Sequence, residues 1–215
     1  MSHRWKNVES KLLLSVCFTL FLIAFRIVYW KEIIFLFYVW NLFLAVIPVI
    51  ISRSLIRFDK LNYKVIPILV AWLLFLPNAP YVITDIFHFF ERPPVPKWFD
   101  LLLVTSAAWN GLMLGIVSLL QVEEFLSKQV SALKVNVIMM ASIAACAFGI
   151  YLGRFSRFNS WDIITNPSKL TRHIGKTILF PQDSIRTWAF TLLFGTMLWL
   201  IYTTLKKLHE QRLMK

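Results

Sequence analysis

The sequence predicts an all-α integral membrane protein, a bundle of about six transmembrane helices forming a single domain over residues 1–215. Three observations predict it. Of the 215 residues, 58% are hydrophobic and only 16% charged, which is more apolar surface than one soluble core takes up. Windows of roughly 20 residues, the length that crosses about 30 Å of hydrocarbon, pick out five clear spans and a sixth interrupted by prolines. The basic residues behind the net charge of +12 are scattered through short loops and tails. No nucleic-acid-binding motif surrounds them, so they read as a membrane-orientation signal and no nucleic-acid partner is expected.

The first span lies near Leu12–Tyr29. It is long and no small-residue cleavage site follows it, so it reads as an anchor and not as a signal peptide. The second lies near Ile33–Ile51, and the third begins near Val65. The fourth and fifth, near Leu101–Leu120 and Val135–Leu152, carry Gly111-x-x-x-Gly115 and Gly149-x-x-x-Gly153. That spacing puts two glycines on one face, where another helix can come close. Between the fifth span and the sixth, near Trp188–Thr203, Asn166 before Pro167 matches an N-cap followed by a first helical residue. A short helix from Pro167 to about Phe180 is predicted, with Leu170, Ile174 and Ile178 on one side and Lys169, Arg172 and Lys176 elsewhere. This is the pattern of a helix in the headgroup region or of a cap over the bundle. Cys17 and Cys146 fall mid-span as small apolar residues. With both termini cytoplasmic, the inside segments hold more Lys and Arg than the outside ones, which sets the orientation.

The third span is the unusual one. VIPILVAWLLFL, residues 65–76, is too short to cross alone at about 1.5 Å per residue, and it runs straight into PNAPYVITDIFHF. Pro77 and Pro80 remove backbone donors and crowd the preceding turn, so the helix is expected to break there. Asn78 is the expected N-cap of a second half-helix, which would carry Tyr81, Asp85 and His88 at i, i+4 and i+7 on one face. A lipid-facing Asp85 would cost a few kcal/mol, so that face is expected to point into the bundle. Broken helices at membrane depth form binding sites in transporters, and a plain kink near the membrane surface is the alternative.

The fifth span ends GIYLGRFSRFNSWDIITNP, residues 149–167. Arg154 and Arg157, at i and i+3, suit a phosphate or carboxylate; Asn159, Trp161, Asp162 and Asn166 follow them as further binding candidates. Internal pairing with Asp85 or Asp162 and headgroup anchoring, with Trp161 in the aromatic belt, are the other readings. In the fourth span Asp100 sits at the helix start, where a capping role suits the dipole, and Asn110 most simply bonds a neighbouring helix, as does Asn41. Asp85-x-x-His88 with Asp162 and His173 offers mixed oxygen and nitrogen donors, but Asp-x-x-His alone is a weak metal pattern. No metal or cofactor is assigned.

The blocks PNAPYVITD, WFDLLLVTSAAWNG and GIYLGRFSRFNSWDIITNP, in that order between Leu76 and Pro167, resemble those of the domain of unknown function 1361 family, bacterial multi-pass membrane proteins. The chain departs from it at Phe99, where the family more often has Tyr. The resemblance implies the bacterial cytoplasmic membrane and carries over no mechanism.

Three functions compete. The first is binding or transport of an anionic or lipid-linked envelope precursor at the outer end of the bundle. The second is a membrane-embedded enzyme using Asp85 and His88 as acid and base on a phosphate-containing substrate; no HExxH, GxSxG or P-loop supports a standard class. The third is a non-catalytic subunit of a membrane-protein complex. Beyond the lipid bilayer, the partners expected are an anionic lipid or envelope precursor and a membrane-protein partner.

Overall fold

The computed structural model describes residues 2–90 and 92–211, the side chains of residues 2–4, 6 and 88 excepted. Among these the chain is all-helical, with six helices long and apolar enough to span a membrane, and it is a multi-pass membrane protein. It divides into two compact units, Met1–Gln121 and Val122–Lys215.

The first unit holds α1 (Ser2–Trp30), α2 (Phe37–Ser54), α3 (Val65–Phe75), the single turn α4 (Asn78–Tyr81) and most of α5 (Lys97–Ser127). In α1 the buried stripe is Leu12, Val16, Thr19, Ile23 and Arg26, at alternating spacings of four and three. Leu13, Leu14, Phe18, Phe21 and Val28 are exposed on the other faces. From Leu12 onward the helix is apolar nearly all round, and Thr19 and Arg26 are its buried polar residues, the arrangement that lipid demands. α2 packs against α3 and α4 through a stripe that includes Tyr38, Leu42, Ala45 and Val49.

The third span keeps right-handed helical torsions at Leu76, Pro77, Tyr81 and Val82. The interruption expected at the prolines is a change of hydrogen-bond register: Leu76 N–H bonds Trp72 O at 2.8 Å, and Ala79 N–H then bonds Leu76 O at 3.2 Å. Asn78 is not the N-cap; Pro77 holds that place, and the Asn78 amide donates back to Phe75 O at 2.9 Å. A carbonyl near the prolines, which bring no N–H of their own, is satisfied this way. The expected half-helix of α-type is replaced, beyond Tyr81, by a 3-10 helix over Val82–His88. Its three-residue repeat takes Asp85 off the face of Tyr81.

Close packing requires glycine at 111: a Cβ there would run into Ala79 O and lie 2.8 Å from Val82 Cβ. At Gly115 it would meet Pro80 Cδ at 3.2 Å. The Gly111-x-x-x-Gly115 face of α5 is therefore the floor on which α4 lies.

The second unit holds the end of α5, α6 (Ala132–Phe155), α7 (Asp162–Thr165), α8 (Pro167–Leu179), a 3-10 turn Pro181–Ser184 and α9 (Ile185–Gln211). α6 and α9 pack along their lengths through Phe148 against Trp188, stacked at 5.9 Å, and Tyr151 and Phe155 against Phe190 at 5.7 and 5.5 Å. The helix predicted from Pro167 is α8. Asn166 precedes it but makes no side-chain cap bond, its backbone lying at φ −138° and ψ 52°.

Candidate functional site

In the first unit one group of polar side chains gathers at the end where α1 finishes and α2 and α5 begin. Arg26 is fully buried; its Nε and Nη2 donate to the two carboxylate oxygens of Asp100 at 2.7 and 3.2 Å, and Nη2 also reaches Glu32 at 3.1 Å. Its guanidinium lies 4.6 Å from the Phe35 ring centroid, and that of Arg92 lies 5.1 Å from the same ring. The stacking offsets in part the burial of Arg26 Nη1, which has no hydrogen-bond partner among the described residues. Asp100 stands in the first turn of α5 as expected, but its carboxylate serves Arg26 and not the backbone. A fork-to-carboxylate pair is the strong form of such a bond, and at membrane depth it is the form that keeps both charges tolerable.

Asp85 is 1% exposed and faces the protein interior. Asn41 Nδ2 donates to its carboxylate at 2.7 Å, and Tyr38 OH donates to its backbone carbonyl at 3.3 Å. His88 closes the 3-10 helix, and its side chain lies outside the described residues. Tyr81 ends α4, its carbonyl accepting from Thr84 Oγ1 at 2.7 Å. Asn110 is buried mid-helix and donates to Thr19 Oγ1 and Ser15 O of α1 at 2.8 and 3.1 Å. The structure thus brings Asp85 to Asn41 and Asp100 to Arg26, a residue that the sequence reading left out of the site.

In the second unit Arg154 is half-buried in the last turn of α6. Arg157 is exposed and adopts a left-handed φ of 58°, and Phe158 N–H closes on Leu152 O at 3.1 Å to end the helix. Asn159 N–H donates to Asp162 Oδ2 at 2.6 Å and Thr165 Oγ1 to Oδ1 at 3.1 Å. The Asn159 backbone bond foremost, with help from Thr165, Asn166 and the charge of Lys169, holds the Asp162 carboxyl below its ordinary range. Trp161 is exposed beside it. With its lone pairs engaged this way, Asp162 is poorly placed to be a metal ligand, and among the described residues no three His, Cys, Asp or Glu side chains gather. Cys17 and Cys146 are free.

The second unit also contains a cavity of about 550 Å³. Tyr151 of α6 and Ser156 just after it line it, with His173, Lys176 and Thr177 of α8 and residues 182–187, which run from the 3-10 turn into α9. Two bonds fix its walls: Ser156 Oγ to His173 Nε2 at 3.1 Å ties α6 to α8, and Trp188 Nε1 to Thr177 O at 3.3 Å ties α9 to α8. Among the described residues neither Lys176 nor Arg186 has an ion pair, and Asp183 is the one carboxylate on the lining. Asp183 stands in the first turn leading into α9, where a carboxylate suits the helix dipole. The lining therefore carries an excess of positive charge.

Sequence reasoning missed Lys176 and Arg186 as site residues and saw His173 only as a metal candidate. The two cations stand ten positions apart, and only the reversal of the chain between α8 and α9 sets them on one cavity; no local spacing announces it. Arg26 was more accessible, because a lone arginine inside a span requires a partner. No curated protein and no solved structure matches the chain. The family described as Protein of unknown function (DUF1361) matches it over residues 40–201, a stretch that contains α4, Asp85, the start of α5 and the cavity, and the chain belongs to that family.

Proposed function

We propose that this multi-pass membrane protein binds, for retention or transport, an anionic or lipid-linked envelope molecule at a polar site near the extracytoplasmic end of its spans in the bacterial cytoplasmic membrane. The observation that carries the reading is the positively lined cavity of the second unit, at the end of α6 that also bears Arg154 and Arg157. Concave sites of roughly 300–1,000 Å³ with a few convergent polar groups are the usual form of a small-molecule site. Lys176 and Arg186 on the wall, without an ion pair among the described residues, select a negative ligand. Asn159, Trp161, Asp162 and Asn166 build the turn that follows Arg157, and their role in this reading is to hold that end of the unit in shape.

A second reading applies to the first unit and is favoured by the buried Arg26–Asp100 pair. Here Arg26 pairs with Asp100 and Glu32, and Asp85 is buried and held by Asn41. Their role is to specify helix packing, as in a subunit of a membrane complex. The third span, interrupted at Pro77–Pro80, is the matching device: its α4 turn fits the glycine face of α5.

Native mass spectrometry of the protein released from mild detergent tests the anion reading, comparing wild type with Arg154→Ala/Arg157→Gly and with Lys176→Ala/Arg186→Ala. Glycine at 157 relieves the left-handed backbone while removing the guanidinium, and thermal melts of each variant separate a loss of ligand from a loss of fold. The expected result is an anionic adduct of defined mass on wild type that at least one variant loses. The same adducts on all three proteins, or none on any, would sink the proposal.

A further inference from the structure

We infer that the cavity between α8 and the start of α9 seats the phosphate of a bilayer lipid, with Lys176 and Arg186 as its clamp and the acyl chains outside; the inference rests on the anion reading and names its ligand class. The charge argument selects phosphate. Arg186 supplies a planar fork that matches two phosphate oxygens and Lys176 a compact point charge, and neither is engaged by a carboxylate among the described residues. Ser156 and Ser184 add hydroxyl groups on the same lining.

The position of the cavity selects a lipid. The sixth span runs over Pro181–Gln211, so the cavity lies at the end of a membrane-crossing segment, where headgroups are. Ile185, which lines the cavity, is 67% exposed, and Ile178, Leu179 and Phe180 just before it are exposed as well. A water-soluble oxyanion has no use for that apolar border, and a space of about 550 Å³ is far more than one tetrahedral anion fills. A molecule with a phosphate at one end and hydrocarbon at the other satisfies both halves of the surface. The two wall-fixing bonds, Ser156 to His173 and Trp188 to Thr177, keep the cavity formed without a ligand.

The test is a titration of the detergent-solubilised full chain, read by native mass spectrometry, with three probes: phosphatidylglycerol, phosphatidylcholine and glycerol 3-phosphate. Wild type is expected to retain one phosphatidylglycerol in preference to phosphatidylcholine, and glycerol 3-phosphate at equal concentration is not expected to displace it. Lys176→Gln/Arg186→Gln, which keeps a polar side chain at each position and removes the charge, is expected to weaken retention about tenfold or more with an unchanged melting curve. Lys176→Ala/Arg186→Ala serves as a second variant if the first melts early. Glycerol 3-phosphate binding as well as the lipid would overturn the lipid assignment and leave the anion reading standing. Binding of no probe would overturn the lipid assignment, the anion reading being decided by the adduct comparison above, and equal lipid retention by wild type and the variants would overturn the clamp.

Discussion

At the scale of single residues, Arg26 and Asp162 show how the same charge chemistry serves opposite surroundings. Arg26 has no exposed surface, so its value lies in the pair with Asp100 and not in the charge itself. Arg26→Ala strands a buried carboxylate and is expected to cost about 3–5 kcal/mol, whereas Arg26→Leu/Asp100→Leu removes both charges and is expected to recover most of that loss. Unfolding of the purified variants in matched mixed micelles checks it; a double variant as unstable as the single one would contradict the pairing argument. Asp162 lies in the loop between spans, where its carboxyl is held low chiefly by the Asn159 N–H. A depressed folded value means that the turn is stabilised above the unfolded carboxylate pKa, about 3.9, and loses this support as pH falls through the folded value. The Asn159 amide resonance, followed in micelles, is expected to titrate with a midpoint below that ordinary value and to stop titrating in Asp162→Asn. A midpoint at or above it would contradict the assignment.

At the scale of elements, the proline-rich stretch makes sense only with its neighbour. PNAP would be a defect in an isolated helix, but Ala79 and Pro80 present backbone and a flat ring to Gly111 and Gly115, where no side chain intervenes. Gly111→Ala is therefore expected to destabilise the protein by about 1–3 kcal/mol, the usual cost of forcing atoms into a packed interface. Gly195→Ala is the internal control: its new Cβ would lie 3.5 Å from Ala147 Cβ, an ordinary contact, so the change is expected within about 0.5 kcal/mol of wild type. Thermal unfolding of the two variants side by side separates a glycine required by close approach from one that is incidental. If both are neutral, α4 does not lie on α5 as described. The sequence could show two prolines and two glycines and the face each pair occupies. It could not show that they meet, because contact between segments some thirty residues apart is decided by tertiary packing.

At the scale of the whole molecule, the fold was legible because hydrocarbon imposes so few solutions on an apolar chain. Span number, the α8 helix and its start at Pro167 followed from length, periodicity and the Asn-Pro pair. The 3-10 geometry after Tyr81 did not, because α and 3-10 turns share the same residues and differ only in the register that packing selects. The partners of Arg26 and the cavity cations were hidden for the same reason, since a charge in a sequence has no address until the helices assemble. Orientation is the remaining global property, and it decides what the cavity meets. Both termini cytoplasmic is the arrangement that the Lys and Arg distribution favours, and it puts the loop before α6 inside and α8 outside. In a chain with Cys17 and Cys146 replaced by alanine, Ser168→Cys is expected to react with a membrane-impermeant maleimide in intact spheroplasts, and Ser131→Cys only after permeabilisation. Both serines are exposed in the structure, so absence of labelling at one of them reports the membrane and not burial. The reverse pattern would turn the cavity to the cytoplasm, and an envelope molecule could then reach it only from the inner leaflet.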